Sequence, residues 1–492
     1  MTGSTFLPYP TFQHVLLLIL STVFLPLHLQ AQQIELPEIG ASGAASVTPV
    51  EEYETGKAVV RNIRRGGGVL DDPLIHDYIN NLGYSLIANS DSTMKNFYFF
   101  MVNDGQINAF ALPGGFIGIN YGLLLASESE SELASVIAHE IAHVTQRHHA
   151  RAYEQGSGSN IPAMAALIAA IILGGKNYEI GEAALATMAA TSIQSKLDFT
   201  RANEKEADYI GIALLSDSNY NPFSMASFFE KLDKNSRLYG ESAPEFLRTH
   251  PVSKNRVADA RNRARTLPRQ PQTEQKNYLL IRSRLRVLAS KDKVKTLGYF
   301  KNNLAAKNYL DRDAENYGYT LSLIENKQFA RARKVINKLL KQDPHRIAYL
   351  LTQANLETRA GNFEKAEQLF ENALALYPGN LPITQNYAEA LLKAKNYPRA
   401  RKILREYLRT DRSEPMLYKL LAEAENKLGH KADSMAARGE YYYLNGQPHQ
   451  ALSQLKGALR TKGLSFYDNA RIEGRIQQMH EELALLDEIF SD

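Results

Sequence analysis

The 492-residue chain carries 57 lysines and arginines against 53 acidic residues, for a net charge of +4, and 44% of it is hydrophobic. It has the apolar content to bury the cores of two or three domains, and no charge bias toward nucleic acid as a partner. No cysteine is present, which excludes disulfides, thiolate metal sites, a cysteine nucleophile and a lipidated cysteine.

The stretch HVLLLILSTVFLPLHLQAQQ holds an apolar run of about 15 residues from Val15, followed by small Ala31. That length suits a signal peptide over residues 1–31, cleaved near Ala31, better than a spanning helix, which needs about 20 apolar residues. A polar, small-residue linker over 32–50 follows, then two helical patterns over 51–64 and 75–89. NFYFFMVN (96–103) and INAFALPGGFIGIN (107–120) are rich in aromatic and β-branched residues. They predict a small sheet with Pro113-Gly114-Gly115 as a turn between strands.

From Ser129 the pattern becomes helical, with apolar Leu133, Val136, Ile137, Ile141 and Val144 on one side. This helix carries His139-Glu140-x-x-His143. Residues four apart on a helix lie about 40° round and 6 Å along, so both imidazoles can reach one ion, and zinc suits that donor pair. Glu140, one step round, is placed to take a proton from an attacking water, which reads as a zinc peptidase with Glu140 catalytic.

A catalytic zinc needs a third protein ligand. His149 stands at a spacing used when a glycine lets the chain turn back to the metal, but Gln146 fills the glycine position. The helix is expected to run on and to leave His148 and His149 at the surface. The stretch NEKEAD (203–208) offers Glu204 and Asp208. They share a helix face, so one can ligate while the other orients an imidazole as a hydrogen-bond acceptor. Glu206, about 200° round from Glu204, should face away. The expected site is one Zn2+ per chain on His139, His143 and Glu204, with Asp208 behind them.

Between these helices, IPAMAALIAAIILGG (161–175) has an apolar core too short to span a bilayer. It reads as a buried helix, or as a surface segment that touches lipid or unfolded chains. Farther on, Phe329, Phe363 and Tyr397 recur with a period of 34, as do Ala332, Ala366 and Ala400, and Pro344 and Pro378. This is the tetratricopeptide pattern, whose stacked helix pairs form a groove that binds protein. The expected fold is mainly α, of the α+β kind: a zincin-like domain with a small sheet over 51–268, connecting helices over 269–310, and an α-solenoid over 311–492.

The motifs VIAHEIAHVTQRH, NEKEADYIGI, INAFALPGG and RTHPVSKNRVADARNRA, in this order and followed by the repeats, together resemble the BepA-type periplasmic metallopeptidases, relatives of HtpX and the Ste-type CAAX peptidases. The resemblance covers about residues 35–265 by motif. It implies that Glu204 completes the zinc site and that His250 lies near the metal, either occupying its open position or assisting catalysis. It also implies that Asn108, Ala109, Phe110 and Ala111 lie along the cleft as the strand to which an extended substrate adds. The function implied is that of a periplasmic endopeptidase acting on unfolded or misassembled envelope proteins, with the repeats engaging the barrel-assembly machinery. The alternative is an assembly factor or chaperone whose repeats bind clients while the peptidase site stays latent.

Overall fold

The computed structural model describes, besides Met1, residues 48–155, 193–239, 244–268 and 275–491, apart from 91, 93 and 95. The expected signal peptide, most of the linker and the 161–175 segment lie outside these residues. Among the described residues no helix is long and apolar enough to cross a membrane.

Helix α1 (Pro49–Arg65) starts with a capping box. Thr48 accepts from the Glu51 amide, and the Glu51 carboxylate accepts from the Thr48 amide, so two otherwise orphaned N–H groups are bonded. Helix α2 (Pro73–Ile87) is capped by Asp72 and has proline in its first turn, where no amide is missed. Between α2 and the helices that follow stand β1 (Tyr98–Val102), β2 (Ala109–Leu112) and β3 (Phe116–Asn120). Their order is β1-β3-β2, with β1 parallel and β2 antiparallel to β3, so β2 is an outer strand.

Alternation sorts the strand side chains onto two faces. Phe99, Met101, Ile117 and Ile119 join Ile75, Ile79 and Leu82 of α2 in the main core. Phe100, Val102 and Phe116 turn the other way, onto Val59, Val60 and Ile63 of α1. The sheet is thus covered on both sides. Gly114 and Gly115 take φ of 75° and 89°. A Cβ on Gly115 would fall 2.4 Å from the Asn96 carbonyl oxygen, so the tight turn requires glycine.

After α3 (Tyr121–Ala126) come α4 (Glu130–Thr145) and α5 (His148–Gln155), then α6 (Ile193–Asp217), α7 (Ser224–Tyr239), α8 (Phe246–Thr249) and α9 (Lys254–Arg265). Helices α4 and α6 lie against each other. They approach closely at Gly211, where a Cβ would stand 3.2 Å from the His139 amide nitrogen.

Twelve further helices run from α10 (Lys276–Ala289) and α11 (Lys293–Ala306) to α21 (Phe466–Ser491). The 34-residue period reappears in the backbone: Lys327, Gly361, Lys395 and Gly429 all have φ between 57° and 83°, each at the turn inside a helix pair. Ala332, Ala366 and Ala400 are buried, since only a small side chain fits where paired helices approach closely. Ser434 takes the next register and bonds its hydroxyl to the Ala422 carbonyl.

The helices after residue 275 touch the N-terminal domain. Arg61 of α1 lies 4.3 Å from the ring centre of Tyr443. Asp72 accepts from Nε and Nη2 of Arg284, on α10, at 2.9 and 2.6 Å. Asp72 is 8% exposed, so replacing its partner by Arg284→Ala strands a buried carboxylate and should cost about 3–5 kcal/mol. Thermal unfolding checks this; an unchanged melting temperature would show that the pair does not hold the two parts together.

Candidate metal centre

Helix α4 is capped by Ser129, whose hydroxyl accepts from the Glu132 amide, and its inward face carries His139, Glu140 and His143. All three are buried, as are Glu204 and Asp208 on α6 and His250 just after α8. One donor atom from each of His139, His143, Glu204 and His250 lies within 4.8 Å of the others. Three imidazoles and a carboxylate, buried and converging on one point, fit a borderline-soft divalent ion. The chain therefore brings together all the predicted ligands.

Distances define the cluster. His143 Nε2 is 3.0 Å from His139 Nε2 and 3.4 Å from Glu204 Oε1. His250 Nδ1 is 2.9 Å from Glu204 Oε1 and 3.3 Å from His139 Nε2, so His250 supplies a fourth donor. Glu140 points to the same place without joining the donor set. Its Oε1 is buried without a hydrogen bond and stands 3.5 Å from His250 Nε2.

Electrostatics follow from burial against pairing. Burial disfavours charge on His139, but Asp208 and Glu204 overcome it and push its pKa up to about 10. At His143 burial wins and holds the ring well below its usual range. Burial would raise the Glu204 carboxyl, yet His250, His139 and His143 pull it well below the ordinary value. The two carboxylates thus make the cluster one that favours positive charge, a proton or a metal cation alike.

Asp208 Oδ1 stands 3.0 Å from His139 Nδ1, the outer position expected of it. Behind it lies a residue that the sequence reading missed. Arg256 of α9 grips Asp208 through Nε and Nη2, each at 2.8 Å, reaches Glu204 Oε2 at 2.8 Å, and donates to the Pro251 carbonyl at 2.9 Å. One guanidinium thus ties the Glu204 carboxylate, its neighbour Asp208 and the backbone beside His250. The available signal was electrostatic: Glu204 and Asp208 on one buried face require a cation.

Two histidines depart from expectation. Helix α4 does not run on: it ends at Thr145, and Arg147 takes φ of 50°, a left-handed turn that needs no glycine although it costs a side-chain-bearing residue some energy. Helix α5 then starts at His148 in a new direction. His148 is therefore buried rather than at the surface, with Nδ1 2.8 Å from His143 Nδ1. His149 is half-buried, and burial pushes its pKa down to about 4. Glu206 faces away from the donor cluster, as the helix geometry predicts. It holds His148 Nε2 at 3.1 Å and Arg151 Nη1 at 2.9 Å.

The strand residues lie beside the helix that bears the histidines, β2 packing on α4. Asn108 accepts from the Asn120 amide at 3.0 Å, and antiparallel alternation then turns the amides and carbonyls of Ala109 and Ala111 to the outer edge, away from β3. Asn108, Ala109 and Ala111 are buried, and Phe110 is half-buried. At the start of this edge the Phe246 amide donates to the Ile107 carbonyl at 3.2 Å.

Comparison with known proteins agrees with this geometry. The family model of peptidase family M48 matches residues 73–264, and tetratricopeptide repeat models match 321–380 and 358–424. A Vibrio cholerae relative is 36% identical over 472 residues, covering 96% of this chain and 97% of its own. The beta-barrel assembly-enhancing protease of Escherichia coli K12 is 34% identical over 447 residues, 91% of each chain. The mitochondrial metalloendopeptidase OMA1 of Arabidopsis thaliana is 31% identical over 221 residues, 44% of this chain and 42% of its own, so that similarity is partial. The near full-length matches and the buried HExxH cluster lead to one assignment: the chain belongs to the family of beta-barrel assembly-enhancing proteases, whose metallopeptidase domain is of the M48 type and is followed by tetratricopeptide repeats.

Proposed function

We propose that this chain is a zinc-dependent endopeptidase of the cell envelope that cleaves misfolded or stalled proteins and assists outer-membrane protein assembly. The observation that carries the reading is the buried convergence of His139, His143 and Glu204 on one point, with the unbonded oxygen of Glu140 beside it. Those three residues would hold zinc, and when bound it would supply Lewis-acid polarisation of the scissile carbonyl and acidify the attacking water.

The chain's own residues do the rest. Glu140 Oε1, free of hydrogen bonds, accepts the proton of the attacking water as its oxygen adds to the carbonyl carbon. It then gives that proton to the leaving amine as the C–N bond breaks. Asp208, fixed by Arg256, orients His139. A substrate strand adds along the outer edge of Ala109 and Ala111, which demands little side-chain specificity and suits unfolded clients. His250 occupies the fourth donor position in this arrangement and must withdraw before a substrate carbonyl can enter.

The similarity to named beta-barrel assembly-enhancing proteases supports a place in the cell envelope and repeats that engage the barrel-assembly machinery, and the apolar run from Val15 supports a periplasmic location after signal cleavage near Ala31. The second reading, a chaperone with a latent site, draws on the burial of His139, Glu140, His143, Glu204 and His250.

Metal removal tests the proposal. Dialysis against a strong chelator should abolish cleavage of an unfolded model protein, and one equivalent of zinc should restore it. Cleavage that persists after atomic absorption shows the metal gone would refute the proposal.

A further inference from the structure

The two histidines of the HExxH helix are braced from behind in different ways. His139 has the Asp208 carboxylate at its outer nitrogen, and Arg256 holds that carboxylate. His143 instead has another imidazole there: His148 Nδ1 lies 2.8 Å from His143 Nδ1. His148 Nε2 lies 3.1 Å from Glu206 Oε2, which Arg151 also grips at 2.9 Å.

Hydrogen-bond logic fixes every proton along this chain. His143 Nε2 faces His139 Nε2 and Glu204, so Nε2 is the atom that would donate its lone pair to an ion. A neutral imidazole that donates through Nε2 carries its hydrogen on Nδ1. Two ring nitrogens 2.8 Å apart form a hydrogen bond only if one has a hydrogen and the other a lone pair. The His148 Nδ1 is therefore the acceptor, its own hydrogen is on Nε2, and the Glu206 carboxylate accepts that hydrogen. Glu206 and Arg151 thus act on His143 through His148.

We infer that His148 is a positioning residue: as a neutral imidazole held by Glu206, it accepts the His143 Nδ1 hydrogen and locks His143 in the tautomer and orientation that bind the metal. This rests on the metal-centre reading above. It explains why the chain turns at Arg147, for a helix that continued would carry His148 round the axis, away from His143. It also sets the two arms apart chemically. A carboxylate partner adds electron density to His139, whereas an imidazole partner fixes His143 without bringing a full negative charge against it.

The test is zinc affinity of the full-length chain, measured by competition with a chelator of known strength, with zinc itself as the probe. His148→Leu should weaken binding about 10- to 100-fold, the usual consequence of losing an outer partner. His148→Asn, whose amide oxygen can accept the same hydrogen, should recover most of that loss. Equal affinity in His148→Leu, or a loss that His148→Asn does not recover while both variants keep wild-type helicity, would overturn the inference. Should either variant fail to fold, nitrogen–proton correlation spectra of the imidazole rings in the unmutated, zinc-loaded chain decide. The His143 hydrogen on Nδ1 and the His148 hydrogen on Nε2 support the inference, and a His148 hydrogen on Nδ1 overturns it. Failure of the unmutated chain to bind zinc would overturn the function proposed above together with this inference, whereas tight binding insensitive to His148 overturns the inference alone.

Discussion

Glu140→Gln should abolish cleavage, by about 10²- to 10⁴-fold, the typical share of a positioned general base, while metal content stays at the wild-type level. The separation of the two effects follows from the geometry. The four converging donors are His139, His143, Glu204 and His250, and Glu140 is not among them. Glutamine keeps the shape of the side chain but cannot take a proton from water. The same change should leave the melting temperature equal or higher, because it neutralises a buried oxygen that has no hydrogen-bond partner. Rate and metal content measured on one preparation check the prediction. Loss of metal together with rate would mean that Glu140 serves the site as a ligand.

Glu204→Gln should release the metal. The carboxylate brings the only formal negative charge of the donor cluster, and its anionic state is maintained against burial by His250, His139 and His143. Removing that charge should weaken metal binding by more than the roughly 10- to 100-fold that an outer partner is worth. Glu206→Gln is the control two residues away. Glu206 faces His148 and Arg151, and a glutamine oxygen can still accept from His148, so the metal should remain bound. Metal analysis after gel filtration reads both. Retention in Glu204→Gln with loss in Glu206→Gln would reverse the assignment of the third ligand.

Local patterns made much of this legible in the sequence. The HExxH helix, the small-residue turn at Pro113-Gly114-Gly115 and the acid pair on α6 lie in stretches where a helical or alternating period decides which side chains share a face. The 34-residue period announced the repeats, and the left-handed residues at Lys327, Gly361, Lys395 and Gly429 show the same period in the backbone. Non-local facts were out of reach. Strand β3 pairs with β1 in parallel, across the intervening β2, a pairing that no turn signal announces.

The misreading of His148 has a specific cause. The spacing asks for glycine at the turn after the HExxH helix, and Gln146 stands there instead. The chain turns one residue later, at Arg147, where the φ of 50° is tolerated in a side-chain-bearing residue because Arg147 Nη2 reaches the buried Glu52 carboxylate at 3.3 Å. Arg256 escaped notice for another reason. It lies 48 residues from Asp208, and no local period connects a single arginine to a carboxylate on another helix.

On the proposed function, one buried site built from α4, α6 and His250 hydrolyses unfolded envelope proteins. The most direct measurement is a time course of zinc-loaded full-length chain with an unfolded outer-membrane β-barrel protein, beside Glu140→Gln and His250→Ala, with fragments identified by mass spectrometry. The account predicts fragments from the wild type, none from Glu140→Gln, and faster cutting by His250→Ala if withdrawal of that ring limits entry. Intact client in every arm, still bound to a chain that holds its zinc, would contradict the account and leave the repeats as the working part of the molecule.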